Sequence, residues 1–319
     1  MLDKDVVAFL GTIGIGKADI RTLEPLPGGV SNDVYAVSTA TRTLVVKRAL
    51  DKLRVAADWH ADVRRLDTER RALELAHVII PTGVPAILGY SSDFLALDRA
   101  PANWTDWKSR LMEQRADAGV AAVIGHLLAS LQRATVAVEG FTDVTVFRQL
   151  RTDPFHAEVG RRFPALAPAL QSLAEELTTS SLCLVHGDFS PKNVLVGTGE
   201  EPADPWIIDW EVTHRGDPNF DPAFLLCHLL LKSLFHNDTA LEYEQCAIAF
   251  LSEYHSNGGL ADDIPSILRH TGALILARVH GKSPVDYLDK TGQLRASEIG
   301  RSSLLDPPDS VPALWRLLS

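Results

Sequence analysis

The feature that most constrains this chain is a change of hydrophobic period at Pro101. Before it come short runs of strand character, Arg21 to Leu26, Val34 to Ser38, Thr43 to Lys47, Ala86 to Tyr90 and Phe94 to Asp98. Turn chemistry at Pro27-Gly28-Gly29 and around Thr39 to Arg42 separates the first three. One helix interrupts them, from about Asp58 to His77, where Val63, Leu66, Leu73 and Ala76 recur near helical spacing. After Pro101 the runs lengthen into amphipathic helices, about Trp104 to Glu113, Ala118 to Thr135 and Pro164 to Thr178. The pattern predicts an α+β chain with a small β-rich lobe over residues 1–100 and a larger α-helical lobe over residues 101–319.

At 319 residues and 46% hydrophobic content the chain can bury a substantial core. The opening residues carry acids at Asp3 and Asp5 around Lys4, unlike the basic leader of a signal peptide. No run reaches the roughly 20 apolar residues of a membrane span, and the nearest, Ala223 to Leu231, reads as a buried helix. Cys183, Cys227 and Cys246 are far apart and form no C-x-x-C pair, which fits a reducing cytoplasm rather than a disulfide or zinc framework. A net charge of −10 without clustered Lys and Arg argues against nucleic acid as a partner.

Two stretches compete as phosphate-binding loops. GTIGIGKA, residues 11 to 18, has the G-x-x-x-x-G-K spacing, but Ala18 stands where a hydroxyl should meet magnesium, and Pro25 and Pro27 leave no room for the required helix. PGGVSNDVYAV, residues 27 to 37, is the better candidate. Gly28 and Gly29, with Ser31 and Asn32, form a hairpin whose backbone can lie close over phosphates. Lys47 then interrupts an apolar strand, as a lysine pointing into a polar cleft would. Glu69 on the following helix is the natural acid to hold it, with Glu74 as competitor.

HGDFSPKN, residues 186 to 193, is a polar loop between the apolar runs Leu182 to Val185 and Val194 to Val196. Asp209 follows a further short strand, Trp206 to Ile208. Phosphoryl transfer asks a protein for positioning and charge neutralisation rather than covalent chemistry. Asp188 can orient the attacking hydroxyl or accept its proton, while Asn193 and Asp209 supply the oxygen ligands that Mg²⁺ prefers. Asp221 followed by Pro222 reads as the cap and first position of a helix running through Leu234. Glu211 and Asp217 either face substrate or fix the loop, Lys192 is expected in solvent with a contact to phosphate or substrate as the alternative, and His228 on the apolar helix is expected in the core.

The pair H-G-D-x-x-x-x-N and I-D-W-E resembles the aminoglycoside phosphotransferase and choline kinase family of protein-kinase-like folds, over most of the chain from about residue 20. The resemblance implies a bilobal kinase using ATP, or GTP, with Mg²⁺. It implies Asp188 as base, Asn193 and Asp209 as metal ligands, and Lys47 as phosphate lysine held by Glu69. It further implies a hinge over Phe94 to Ala100, including Leu97, Asp98 and Ala100, that bonds the adenine. Asp221 is implied to brace the catalytic loop. Where many relatives have His-Pro-Gly before the Asn, this chain has Ser190-Pro191-Lys192.

The expected substrate is a small hydroxyl compound: an aminoglycoside, a sugar or an amino alcohol, with a methylthioribose-kinase-like sugar kinase as the metabolic alternative. Arg278, His280 and Lys282 fit a dedicated polycation pocket poorly. Only eleven residues separate Asp209 from Asp221, too few for an extended peptide platform. A pseudokinase scaffold that binds nucleotide without transferring phosphate is the reading of another class.

Overall fold

A computed structural model describes residues 3–26, 32–50, 62–197 and 204–318. Asp3 caps the first helix, α1 (Lys4–Thr12), by accepting from the amides of Asp5 and Val6. Helix α1 buries Val6, Phe9 and Leu10 against an antiparallel five-stranded sheet, where they meet Val37, Leu44, Val46 and Phe94. The strands are β1 (Thr22–Pro25), β2 (Asn32–Ser38), β3 (Thr43–Ala49), β4 (Ile87–Tyr90) and β5 (Leu95–Asp98), in the order β1-β2-β3-β5-β4. Between β3 and β4 runs α2 (Arg65–Ile79), whose Leu66, Ala72, Leu73 and Ala76 join Leu95 and Leu97 in the main core. Its periodic apolar residues begin with Val63, yet residues 62–64 form a turn, and residues 58–61 of the expected helix lie outside the described residues.

The stretch around Gly11 to Lys17 is the exit of α1. Its Ile13 and Ile15 pack on the small core, and Lys17 is exposed in a single 3₁₀ turn, Lys17–Asp19.

Beyond Pro101 the expected helix from Trp104 begins three residues later. Residues Trp104–Asp106 form strand β6, and α3 covers Trp107–Met112. The reason is local: Asp106 accepts from the Ser109 amide and so starts the helix after itself. Helix α4 (Ala118–Ala134) follows, capped by Asp117. A short helix α5 (Thr145–Phe147) widens into a π-helical segment, Arg148–Ala157, and narrows again as α6 (Glu158–Arg162). Pro154 lies inside the wide segment, where its missing N–H and ring disfavour the ordinary ladder. Helix α7 (Ala167–Thr179) is entered through a 3₁₀ turn at Pro164–Leu166.

Four short strands then follow α7 and form the floor of a cleft. Strand β7 (Cys183–Val185) pairs with β10 (His214–Gly216), while β8 (Val194–Gly197) lies between β6 and β9 (Trp206–Ile207). Residues 186–193 therefore join two separate ribbons and are fixed at both ends. Helices α8 (Phe220–Phe235), α9 (Ala240–Ser256), α10 (Ile264–His280), α11 (Lys290–Leu305) and α12 (Val311–Arg316) complete the chain. Ala223 to Leu231 lies within α8, which is buried nearly all round, as a helix apolar on every face must be. Among the described residues, no helix is long and apolar enough to cross a membrane. Cys183, Cys227 and Cys246 are buried and unpaired.

Candidate active site

A cleft of about 1200 Å³ runs between one face of the five-stranded sheet, where Val34, Val45, Lys47 and Leu97 line it, and the helical part of the chain. Lys47 reaches it from β3, and Leu97, Asp98 and Ala100 from the end of β5; Asp188, Asn193 and Asp209 reach it from the short-strand floor. Asn32 and Glu211 also line it, and Gly28, Gly29 and Ser31 lie outside the described residues.

Lys47 is nearly buried and holds two carboxylates: its Nζ lies 2.6 Å from Glu69 Oε1 and 2.9 Å from Asp209 Oδ1. Glu74, the alternative partner, faces solvent and pairs with Arg70 at 2.7 Å. Burial works to lower the Lys47 pKa, but Asp209 and Glu69 overcome it and hold the ammonium well above its ordinary value. Burial pushes the Glu69 carboxyl up to about 7 against the pull of Lys47. Burial also opposes ionisation of Asp209, yet Lys47 and Lys192 keep it well below the usual carboxylate range. Asp209 has φ +70°, a left-handed conformation rare for a residue with a side chain and typical of sites where geometry outweighs local comfort.

The loop from His186 is held from below. Asp221, fully buried, accepts the amide hydrogens of His186 at 2.7 Å and Gly187 at 3.0 Å. It is thus a brace and not the expected helix cap, since α8 begins one residue earlier at Phe220, with Asn219 in the cap position. Burial pushes its carboxyl up to about 7, with the two amides opposing. Gly187 has φ +78°, and a Cβ there would meet the Val212 carbonyl oxygen at 2.8 Å. His186 Nδ1 accepts the Asp188 amide at 3.1 Å, so Nε2 carries the hydrogen and donates to the Ile208 carbonyl at 3.1 Å. Burial lowers the His186 pKa to about 4, which keeps the ring neutral in this role.

Asp188 is clamped on both oxygens. Arg151 Nη2 lies 2.9 Å from Oδ1, and Asn193 Nδ2 donates to Oδ2 at 2.8 Å and to the Asp188 carbonyl at 2.9 Å. Lys192 Nζ approaches Oδ2 at 3.5 Å while its side chain remains 56% exposed, so this residue is solvated and also adds charge to the site. Burial would raise the Asp188 pKa, but Arg151 and then Lys192 bring it below the usual value. Arg151 also donates from Nε to the Gly187 carbonyl at 2.6 Å, and its guanidinium sits 5.7 Å from the ring centres of Phe155 and Phe224.

Opposite, the Asn32 amide donates to Glu211 Oε2 at 2.8 Å, and Arg65 Nε approaches the same oxygen at 3.2 Å. Glu211 therefore ties the loop after Asp209 to β2 and α2. Asp217 accepts only locally, from the amide and side chain of Asn219, and does not line the cleft. His228, expected in the core, is only partly buried and lines the cleft, because the face of α8 that carries Phe224 and His228 forms its wall. Arg278 lines it too, whereas Lys282 is exposed elsewhere and His280 bonds Ser297 at 2.7 Å. The sequence reading missed Arg151 and Arg65. Neither stands in a motif, and both reach partners distant in the chain.

A profile of the phosphotransferase enzyme family matches residues 22–259. The chain belongs to this family. A methylthioribose kinase of Bacillus cereus is 23% identical over 257 residues, which span 70% of this chain and 62% of that kinase. A choline/ethanolamine kinase family protein of Mesorhizobium loti is similar in fold, with a TM-score of 0.57 and 19% identity over 100% of this chain and 99% of that one. A microcompartment-associated aminopropanol kinase gives a TM-score of 0.58 at 13% identity, over 97% of this chain and 100% of the other. The phosphotransferase architecture, an antiparallel sheet lobe over a helical lobe, thus extends through the whole chain.

Proposed function

We propose that this chain transfers the γ-phosphoryl group of ATP to a hydroxyl of a small molecule, with residues 1–100 as the nucleotide lobe and residues 101–319 as the catalytic and acceptor lobe. The observation that carries the reading is the pairing, across one cleft, of the Lys47–Glu69–Asp209 cluster with a doubly clamped Asp188. Lys47 would meet nucleotide phosphates, and Leu97, Asp98 and Ala100 would offer backbone groups to the base. GTP would use the same edge. Three buried, unpaired cysteines support a reducing cytoplasm as the setting.

The residues present fit a magnesium ion. Asn193 spends its amide hydrogens on Asp188, which leaves its carbonyl oxygen for a cation, and Asp209 uses Oδ1 on Lys47 and retains Oδ2. Two protein oxygens suit Mg²⁺, which usually keeps waters and phosphate oxygens as its other ligands. When bound, the ion would neutralise charge on the phosphates.

In the transfer, the acceptor oxygen forms the new bond to phosphorus, the bond from phosphorus to the bridging oxygen breaks, and ADP leaves with the electron pair. Asp188, ionised and short of basicity because of Arg151, orients the hydroxyl and takes its proton late, which suits a loose transition state. The acceptor is small because the eleven residues after Asp209 are consumed by packing and turns. Trp210 is fully buried, Glu211 is tied across the cleft, and residues 214–216 form β10.

The test is incubation with labelled ATP and magnesium against a pool of sugars, amino alcohols and aminoglycosides, and against generic protein substrates. Label is expected in the small-molecule pool. Robust labelling of proteins alone would overturn the reading.

A further inference from the structure

The acceptor end of the cleft is built from the π-helical segment, α8 and the residues following α10, and Lys108, Lys192 and Arg278 line it. Arg278, in the last turn of α10, donates from Nη1 to the Ser283 carbonyl and to Ser283 Oγ at 3.0 Å, and these bonds lock its guanidinium in place. Among the described residues its Nε is buried with no hydrogen-bond partner, and so is the Tyr287 hydroxyl; both residues line the cleft. Unmade bonds on buried donors cost free energy, so two such donors on one wall point to a ligand that completes them.

The surrounding charges say what that ligand is. Lys108 and Lys192 line the same region, and behind its wall Lys232 is fully buried, with its Nζ 5.7 Å from the Tyr287 ring centre. Among the described residues no carboxylate comes within 4.0 Å of Arg278, Lys108 or Lys232. The acids of this region are otherwise engaged or peripheral. Asp106 caps α3, Glu113 pairs with Arg115, and Asp286 is exposed. Asp188 is near enough to bias the titration of Arg278 but is already held by Arg151 and Asn193. Arg278 is locked and Lys108, among the described residues, has no carboxylate within reach, so a cationic acceptor would be repelled here, whereas an anion would be drawn to them.

We infer that the acceptor carries an anionic group that seats on Arg278 Nε and the Tyr287 hydroxyl while its own hydroxyl faces Asp188. The inference rests on the kinase reading above and names the substrate class for it: a hydroxyl compound bearing a carboxylate or a phosphate. Phe155 and Phe224 form the apolar wall between the two ends, which suits a short carbon skeleton.

Matched acceptors separate the possibilities: glycerate and glycerol 3-phosphate against glycerol, gluconate against glucose, and ethanolamine as the cationic arm. ADP formation is followed with each. The anionic members are expected to exceed their neutral counterparts in kcat/KM by about 10- to 100-fold, the range of a charge-assisted hydrogen bond. Whether glycerate or glycerol 3-phosphate leads identifies the anion. Arg278→Gln should collapse that ratio, chiefly through KM, and Tyr287→Phe should reduce it less; magnesium–ATP stabilisation in a thermal melt shows that each variant folds. Preference for ethanolamine or for the neutral members, equal losses on anionic and neutral acceptors in Arg278→Gln, or no turnover of any anion overturns the inference. Loss of magnesium–ATP stabilisation in the unaltered chain would instead mark failure of the kinase reading itself.

Discussion

Arg151 Nη2 lies 2.9 Å from Asp188 Oδ1, so an arginine from a π-helical segment grips the carboxylate that faces the cleft. A positioned general base contributes about 10²- to 10⁴-fold, and Asp188→Asn is expected to lower turnover by that range while magnesium–ATP still stabilises the fold. Arg151→Gln is the more informative variant. Arg151 keeps the Asp188 pKa low, so its loss raises that pKa, and the acidic limb of the kcat/KM profile should move to higher pH. A lowered rate with an unmoved limb would assign Arg151 to packing alone.

Asp209 and Lys17 make a paired test of the nucleotide site. Asp209→Ala removes the carboxylate proposed to hold magnesium and one partner of Lys47, and should abolish the magnesium-dependent part of ATP stabilisation in a thermal melt. Lys17 is exposed at the exit of α1 and away from the cleft, and Lys17→Ala should leave that stabilisation intact. The reverse pattern would restore the Gly11–Lys17 stretch as the phosphate loop.

The parts of this architecture that rest on local chemistry are legible in the sequence. A lysine interrupting an apolar strand and a polar loop between two apolar runs are both short-range signals, and the period change at Pro101 marks where helices take over. What escapes is chemistry between distant residues. An Asp-Pro pair reads as a helix start, yet Asp221 serves amides 34 and 35 residues away, because an N-cap and a loop brace use the same acceptor. His228 reads as core because α8 is apolar all round, and periodicity does not mark which face of such a helix borders a cleft. Trp104 to Asp106 read as helix, but pairing with β8 claimed them.

Gly187 tests the brace. Its φ of +78° suits glycine, and a Cβ would press on the Val212 carbonyl oxygen at 2.8 Å, a backbone atom that cannot step aside. Gly187→Ala should therefore cost stability by about 1–3 kcal/mol and displace Asp188 enough to lower turnover. Urea unfolding read alongside kcat checks both. Asp221→Ala should behave similarly, since it strands two buried amides at about 1–3 kcal/mol each.

Lys232 offers a prediction in pH. Its ammonium is fully buried, with the His228 carbonyl at 3.3 Å as acceptor, and burial together with Lys108 and Arg278 lowers its pKa from 10.5 to about 7. The folded pKa lies below the unfolded one, so between about pH 7 and 10.5 the unfolded chain binds the extra proton and stability rises with pH. Below about pH 7 both states are protonated and the full cost of burying the charge is paid. Lys232→Met keeps the stem and removes the charge, and should stabilise the protein by roughly 1–4 kcal/mol at pH 6. That gain should hold up to about pH 7 and shrink progressively toward pH 10, because the folded lysine is then neutral and the cost of taking its proton from the unfolded chain falls as the pH nears 10.5. Groups such as Asp221 titrate in both proteins and cancel in the difference. Urea unfolding of the two proteins at pH 6, 8 and 10 measures it; a gap independent of pH would mean that Lys232 titrates in the folded protein as it does in the unfolded chain.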